Sequence, residues 1–378
     1  MSGADGVIAF IGAMLLMIMV HEYGHFSTAR LFGIRVDEFF LGFGPTLFSF
    51  RKGETEFGMK AFLLGGYVRI AGMNPWEKVP DEELPRTFGA KPAWQRAIVL
   101  LAGSTTHFIM AAFMIFLMAG FIGLESPATT VGQVEKEIEG KPAPAVVAGL
   151  QKGDKIVTID GAPIKTWEDI SNQFRSRAGQ TIPVEVERDG KVIALQMTPV
   201  EGDVPLAEDP TKTERVGRVG IRPEFIPRKM PIPQAAVYSV KATGAFIVVS
   251  AKTLPTVFGK DGISAVFRAI RDGDDATGPR PVGLVGAGRV TAQLTAAGEA
   301  ESLIFFLIYF IVFIGVVNLV PLLPLDGGHL AVVLWEAVTR KKVDMRKLVP
   351  VSAVVIGLLL ILFVALLYLD IWRPMQFF

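Results

Sequence analysis

The residues best suited to chemistry are two histidines four positions apart, His21 and His25, with Glu22 beside the first. Residues at this spacing lie on one face of an α-helix, so both imidazoles can reach a single metal ion. Zinc accepts neutral imidazole nitrogen and needs only three protein ligands when water takes the fourth position. The spacing therefore predicts that His21 and His25 bind zinc and that Glu22 is the base for the water.

A third ligand is predicted at Asp326, far along the chain. It follows an apolar run within the sequence NLVPLLPLDGGH at 318–329, in which two prolines and two glycines break the helix. Backbone freed inside an apolar zone must find protein or water partners, which implies a wet, polar cavity. A buried carboxylate needs a partner or a metal ion. The alternative is that Asp326 only caps the helix that follows.

The elements that must position these residues are membrane spans. Of the 378 residues, 51% are hydrophobic, and the mean hydropathy is +0.43, which is unusual for a soluble protein. The segment 235–257 is apolar but interrupted by lysines and a proline, so it is predicted to be an amphipathic helix on the outer surface. Four other runs are long enough to cross about 30 Å of hydrocarbon. They are residues 7–29, 97–123, 302–323 and 350–369.

Basic residues predict the orientation of these spans. They are concentrated in the connection 30–96 and in the link 340–347, which should both be cytoplasmic. Both termini and the segment 124–301 should then be extracytoplasmic. The two histidines and Asp326 would lie at a similar depth, toward the cytoplasmic leaflet. No Lys or Arg precedes the first apolar run, which favours a retained span over a cleaved signal peptide.

Composition also excludes several classes of protein. The chain has no cysteine, so disulfides, thiolate metal ligands and cysteine nucleophiles are ruled out. The formal net charge is +1, and no basic stripe with interleaved aromatics is present, so a nucleic-acid partner is not expected.

The first cytoplasmic connection is predicted to contain a β element over 36–72. Its β-prone pieces are too apolar for a free loop and too short to span a bilayer, so we expect a sheet or hairpin at the membrane interface. A small cytoplasmic β-subdomain is the alternative. The predicted pieces are residues 38–41, 46–50, 57–62 and 67–70.

A soluble, extracytoplasmic domain is predicted at 126–200. The string GLxxGDxIxxIDG at 149–161, a helix at 167–177 and an Asp-Gly hairpin at 182–192 resemble a bacterial PDZ domain of α+β type. PDZ domains receive extended peptides along a sheet edge, but a spacer without a peptide ligand is equally consistent with the sequence. Residues 201–301 are predicted to be a linker that contains the amphipathic helix, with a loop at 273–288.

Taken together, the HEYGH motif, the PDZ-like insert and the NLVPLLPLDGGH motif resemble the site-2 protease family of intramembrane zinc metalloproteases. The bacterial regulator-of-sigma-E protease branch is the most similar, and a single PDZ domain resembles its actinobacterial members. The resemblance implies an α-helical polytopic membrane protein of the bacterial plasma membrane, with four transmembrane helices. Its implied substrates are single-span membrane proteins similar to anti-sigma factors, cleaved in regulated intramembrane proteolysis.

The resemblance also implies roles for individual residues. His21, His25 and Asp326 would ligate zinc, Glu22 would be the catalytic base, and the β element would pair with unwound substrate. Substrate would also be bound by Asn318, Gly65 and Gly66. The family usually has Gly-Pro-x-x-Asn in the second span, whereas this chain has His107 in place of the asparagine. His107 is expected to be either a hydrogen-bonded structural histidine or a further ligand.

Two other functions remain open at the level of sequence. One is a non-catalytic, membrane-anchored PDZ scaffold with a structural metal ion, although a structural zinc usually has four protein ligands and needs no base. The other is a metal transporter, which should carry more ionisable residues along its spans.

Overall fold

The computed structural model describes residues 3–74, 76–205, 213–272 and 281–373, and the chain divides into two compact units. Unit 1 comprises Met1–Leu117 and Ile232–Phe378, and unit 2 comprises Met118–Pro231. The α-helices are α1 (Gly3–Leu31), α2 (Ala93–Leu117), α3 (Pro144–Val147), α4 (Trp167–Arg175), α5 (Ile232–Phe258), α6 (Lys260–Asp272), α7 (Leu284–Ala296), α8 (Ala300–Asn318), α9 (Asp326–Thr339) and α10 (Val349–Trp372). The strands are β1 (Val36–Lys52), β2 (Thr55–Ile70), β3 (Leu124–Val134), β4 (Glu137–Ile138), β5 (Lys141–Pro142), β6 (Lys155–Ile159), β7 (Ala162–Pro163), β8 (Ile182–Arg188), β9 (Lys191–Met197), β10 (Val200–Pro205), β11 (Thr213–Arg218) and β12 (Ile221–Arg228).

Five helical stretches among the described residues are long and apolar enough to cross a membrane. Four of them correspond to the predicted spans, and the fifth is α5, so the predicted count of four is not confirmed. The lysines and proline that argued against a span do not interrupt α5, which continues past Pro255 to Phe258. The helix packs against α2 and α8, with the Phe246 ring 6.3 Å from that of Phe305 and 6.1 Å from that of Tyr309. It is therefore part of the helical packing of unit 1.

The predicted helix break before Asp326 is present. Helix α8 ends at Asn318, earlier than the predicted boundary at residue 323, and α9 begins at Asp326. The connecting turn folds back closely on itself, because a Cβ atom on Gly327 would overlap the carbonyl group of Leu319. The two glycines after Asp326 are thus required by the turn that positions the aspartate.

Strands β1 and β2 form one antiparallel element in unit 1 that contains all four predicted β pieces. The first half of β1 pairs on one side with residues 66–70 and on the other with residues 56–59, while its second half pairs with residues 55–60. Positive φ angles at Gly42 and Gly44 let β1 turn between its two halves. Leu47 and Phe48 are more than half exposed, so one side of this element offers an apolar surface.

The predicted loop at 273–288 is wrong for its last five residues, since α7 begins at Leu284; residues 273–280 lie outside the described residues. The sequence at the start of α7 is rich in glycine and alanine and has few charged residues, so it gives only a weak helical pattern. The N-terminus of α7 is satisfied from α10: Asp370, 6% exposed, accepts hydrogen bonds from the backbone N–H of Gly286 (2.7 Å) and Gly283 (3.4 Å). A carboxylate at a helix N-terminus meets both the free amides and the positive end of the dipole.

Unit 2 is built on a sheet with the strand order β12-β3-β6-β8-β9. The predicted hairpin is confirmed, because β8 and β9 are joined by Asp189 and Gly190, both with positive φ, as a two-residue turn requires. The predicted helix is α4, which buries Ile170 and Phe174. The unit extends beyond the predicted domain 126–200, because β12 pairs with β3 across some ninety residues of sequence.

Candidate metal centre

Two helices of unit 1 bring the three predicted ligands to one point. Nε2 of His21 and Nε2 of His25 are 3.2 Å apart, and each lies 3.2 Å from Oδ2 of Asp326. The two histidines come from consecutive turns of α1, and the aspartate from the first residue of α9. His25 is 6% exposed, and the side chains of His21 and Asp326 are 12% and 22% exposed, so the three groups are largely withdrawn from solvent.

This spacing fits a tetrahedral zinc ion. Zinc–nitrogen and zinc–oxygen bonds near 2.1 Å place neighbouring ligand atoms about 3.4 Å apart in a tetrahedron. Oδ2 of Asp326 is buried and makes no other hydrogen bond within the described part of the chain. Two imidazoles and a carboxylate are also the ligand types that catalytic zinc sites combine with water. The residues present therefore fit the ion, with one position left for a reactant.

Helix α2 sets the orientation of the ligands. Nδ1 of His25 donates to the carbonyl of Val99 at 2.7 Å, which directs Nε2 toward the other ligands. A Cβ atom on Gly103 would lie 2.6 Å from Cε1 of His21 and closer still to Nε2 of His25. The Val99 carbonyl could not be found from sequence, since any residue supplies a carbonyl. From the sequence alone, Gly103 is only one of several small residues that allow close helix packing.

Glu22 lies between the ligands and the β element. Its carboxylate is close to the backbone of Val68 in β2. A Cβ atom on Gly66 would lie 3.1 Å from Cγ of Glu22 and 2.9 Å from Ile18, so the glycine allows β2 to approach α1 closely. Glu22 is thus held beside the metal ligands and next to a strand.

A cavity of about 590 Å³ adjoins the cluster. His21, Glu22, Gly65, Gly66 and Asn318 all line it, so the structure brings the three predicted substrate-binding residues to the same space as the predicted base. The remaining walls are mostly apolar side chains of α1, α5, α8 and α10. A cavity with this lining can receive an apolar segment of chain next to the metal ligands.

His107 also lines this cavity, from α2. Its ring centroid is 4.9 Å from that of His21, and the residue is 1% exposed. Its nitrogens lie outside the group of ligand atoms formed by His21, His25 and Asp326, and neither makes a hydrogen bond in the described structure. Neither expectation for this residue, a hydrogen-bonded structural histidine or a further ligand, matches this arrangement.

Comparison with known proteins agrees with this geometry. The family model described as "Peptidase family M50" matches residues 9–362. The zinc metalloprotease Rip1 of Mycobacterium tuberculosis is 31% identical over 404 residues, covering 99% of this chain and 98% of the relative. A putative zinc metalloprotease of Clostridium acetobutylicum is 30% identical over the full length of both chains, and the metalloprotease MmpA of Caulobacter vibrioides is 29% identical, covering 89% of this chain and 87% of the relative. The chain therefore belongs to peptidase family M50, the site-2 protease family, and is a zinc metalloprotease of the membrane.

Proposed function

We propose that this protein hydrolyses peptide bonds within or next to the transmembrane segment of single-span membrane proteins. The observation that supports this most directly is the three-ligand cluster, with Glu22 beside it, opening into an apolar cavity. Ionisable residues inside an apolar helical packing are costly and are retained mainly where they perform a function. A structural metal ion, as in the scaffold alternative, would gain nothing from an adjacent carboxylate and an open cavity.

Each residue has a role in this proposal. His21, His25 and Asp326 hold the zinc ion, which supplies the Lewis acidity that activates water and polarises a peptide carbonyl. The Glu22 carboxylate takes a proton from the attacking water and delivers it to the nitrogen of the departing amine. The carbonyl of Val99 keeps the His25 ring in the tautomer that presents Nε2 to the ion.

The substrate must be extended before it can be cleaved, because helical carbonyls are hydrogen-bonded and shielded. Unwinding a turn gives up several hydrogen bonds, each worth more in an apolar environment than in water. Strand addition to β2 near Gly65 and Gly66 would replace these bonds while bringing the scissile bond toward Glu22. The substrate class is proposed to be anti-sigma factor-like proteins, with cleavage toward the cytoplasmic leaflet. The protein itself is proposed to cross the membrane four times, with α5 as an amphipathic helix on the outer side.

Unit 2 is proposed to be a PDZ domain that lies outside the cytoplasm. Support comes from a cavity of about 290 Å³ bounded by α4 and by residues 216–222, next to β12 at the edge of the sheet. This is the arrangement in which an edge strand and a helix receive an extended peptide. Arg175, Arg218 and Arg222 border the cavity, and each is paired with a glutamate, Arg175 with Glu214 and the other two with Glu135.

The proposal is tested with purified protein in lipid nanodiscs and a fluorescently labelled single-span model protein whose span contains a Gly-Pro pair. Glu22→Gln should retain zinc and bind the substrate but lower the cleavage rate by about 10²-fold or more, because it removes the base and leaves the ligands. Asp326→Asn should lower the zinc content as well as the rate. Cleavage by Glu22→Gln at the wild-type rate would contradict the assignment of the base, and unchanged zinc in Asp326→Asn would contradict the third ligand.

A further inference from the structure

The imidazole of His107 has no role in the function proposed above, and its nitrogens have no hydrogen-bond partner among the described residues. The residue lies one helical turn after Gly103 on α2, so both face the metal ligands. Helix α8 presses on it from the other side, because a Cβ atom on Gly315 would lie 3.0 Å from Cβ and 3.1 Å from Nδ1 of His107. The ring is thus confined between two helices, and its position is fixed by packing rather than by hydrogen bonds.

The burial of the His107 ring nitrogens is energetically unfavourable in the protein alone. Both nitrogens are buried, and neither has a hydrogen-bond partner among the described residues; the backbone of Met17 borders the ring without meeting hydrogen-bond geometry. A buried polar group without a partner costs stability, and such groups in native proteins call for a functional explanation. His25 shows the contrast, since its Nδ1 is held by the carbonyl of Val99.

The buried His107 ring could be a fourth metal ligand or a residue that contacts the substrate, and geometry separates these two explanations. A fourth metal ligand should have a nitrogen within the tight group formed by His21, His25 and Asp326, but His107 lies outside that group. A residue that meets the substrate should line the cavity that contains the proposed base, and His107 does so together with Glu22. The second explanation fits.

The chemistry of a neutral imidazole suits a peptide. It offers one N–H donor and one acceptor, whereas a carboxylate offers only acceptors. A peptide bond undergoing hydrolysis gains negative charge on its carbonyl oxygen, and a donor already fixed in a water-poor cavity stabilises that charge most. We propose that the His107 imidazole donates its N–H to the carbonyl oxygen of the scissile peptide bond. This inference depends on the proposed proteolytic function.

The test uses His107→Phe, which keeps a ring of similar size, and His107→Asn, which restores a donor. Both are assayed as full-length protein in nanodiscs with the single-span Gly-Pro substrate described above. His107→Phe should keep its zinc content and melting temperature, lower kcat about a hundredfold and change KM by less than about threefold, because the lost hydrogen bond forms mainly in the transition state. His107→Asn should recover at least tenfold of that loss.

Ser104→Ala is the matched control. Ser104 is also 1% exposed on α2, with a hydroxyl that has no partner in the described structure, but it does not line the cavity. Its replacement should leave kcat unchanged. If His107→Phe does not fold, His107→Leu provides a second apolar variant for the same comparison.

Three results would overturn the inference: an unchanged kcat in His107→Phe, a loss of zinc that accounts for the lower rate, or an asparagine variant no more active than the phenylalanine variant. Failure of the proposed function looks different. In that case the wild-type protein and Glu22→Gln would process the substrate equally, whatever residue stands at position 107.

Discussion

At the scale of single residues, the site depends on where side chains are absent as much as on where they are present. Gly24 and Gly103 bring α1 and α2 so close that a Cβ on the former would lie 2.7 Å from the carbonyl oxygen of Ala102. The hydroxyl of Thr106 lies 2.6 Å from the carbonyl oxygen of Gly103 in α2 and 3.0 Å from that of Val20 in α1, so it sits between the same two helices. The metal ligands are therefore held by a helix pair that cannot separate or tighten without moving them.

Gly103→Ala should consequently lower zinc content and proteolytic activity together. The added methyl group would overlap both imidazoles, and packed helices relieve such overlap by moving apart, at a cost of about 1–3 kcal/mol. Zinc is measured by plasma mass spectrometry, and stability by thermal unfolding in detergent. Gly12→Ala in α1 is the matched control, because outside its own helical turn no atom of the described residues lies within 4 Å of its added Cβ. Equal zinc content in the two variants would contradict this prediction.

At the scale of elements, the sequence was most informative where chemistry and backbone conformation both constrain it. The HEYGH helix, the break before Asp326 and the Asp-Gly hairpin of unit 2 each carry a local signal. The pairing of β12 with β3 and the support from Val99 depend on residues distant in sequence, for which composition and periodicity give no signal. For segment 235–257 the sequence gives opposing signals: the helix is long and apolar enough to cross a membrane, but its lysines count against a span, although long lysine side chains can keep their charge at the edge of an apolar layer.

The β element is expected to contact the membrane through its exposed apolar side. A spin label attached to Leu47→Cys should be accessible to oxygen and protected from a water-soluble nickel complex, because Leu47, 63% exposed, would face lipid. The chain contains no cysteine, so each single-cysteine variant is labelled at one site. A label at Glu82→Cys, on an exposed short helical segment, should show the opposite preference. The same nickel accessibility at both sites would favour the alternative of a cytoplasmic β-subdomain.

Unit 2 contains an ion pair between the buried carboxylate of Asp154 and the partly exposed guanidinium of Arg188, and its strength should depend on pH. Burial of Asp154, 1% exposed, would raise its pKa, but hydrogen bonds from Nε and Nη2 of Arg188 at 2.6 and 2.7 Å and from the backbone of Gln151 outweigh this and lower the pKa. A carboxyl with a lowered folded-state pKa stabilises the fold above its unfolded-state pKa of about 3.9 and loses that stabilisation as the pH falls through the folded-state value.

Asp154→Asn should therefore destabilise unit 2 by about 2 kcal/mol near neutral pH. The difference from wild type should shrink as the pH falls below about 4, since protonation removes the same charge from the wild-type protein. Hydrogen-exchange protection of β6 and β8, corrected for intrinsic exchange rates, measures this in the full-length chain. A difference that stays constant down to the lowest accessible pH would show that Asp154 contributes through packing instead of charge.

At the scale of the whole molecule, the distribution of basic residues makes a prediction about sidedness. Lys191 lies in the β8–β9 hairpin of unit 2, and Lys341 follows α9 in the basic link; both are exposed. In intact bacterial cells a membrane-impermeant maleimide should label Lys191→Cys but not Lys341→Cys, and permeabilised cells should show both. Labelling of Lys341→Cys in intact cells would reverse the proposed orientation and move the metal centre to the outer leaflet.

The carboxylate of Asp370 has a consequence for how the cavity wall behaves. Residues from both α7 and α10 line the cavity, and Asp370 joins the two helices through backbone amides. Drawing α10 away from α7 would strand a charge and two N–H groups among hydrocarbon chains, where no water can replace the lost partners. Helices α7 and α10 should therefore move together as one rigid pair. A substrate that enters from the lipid then has to pass beside this pair instead of between the two helices.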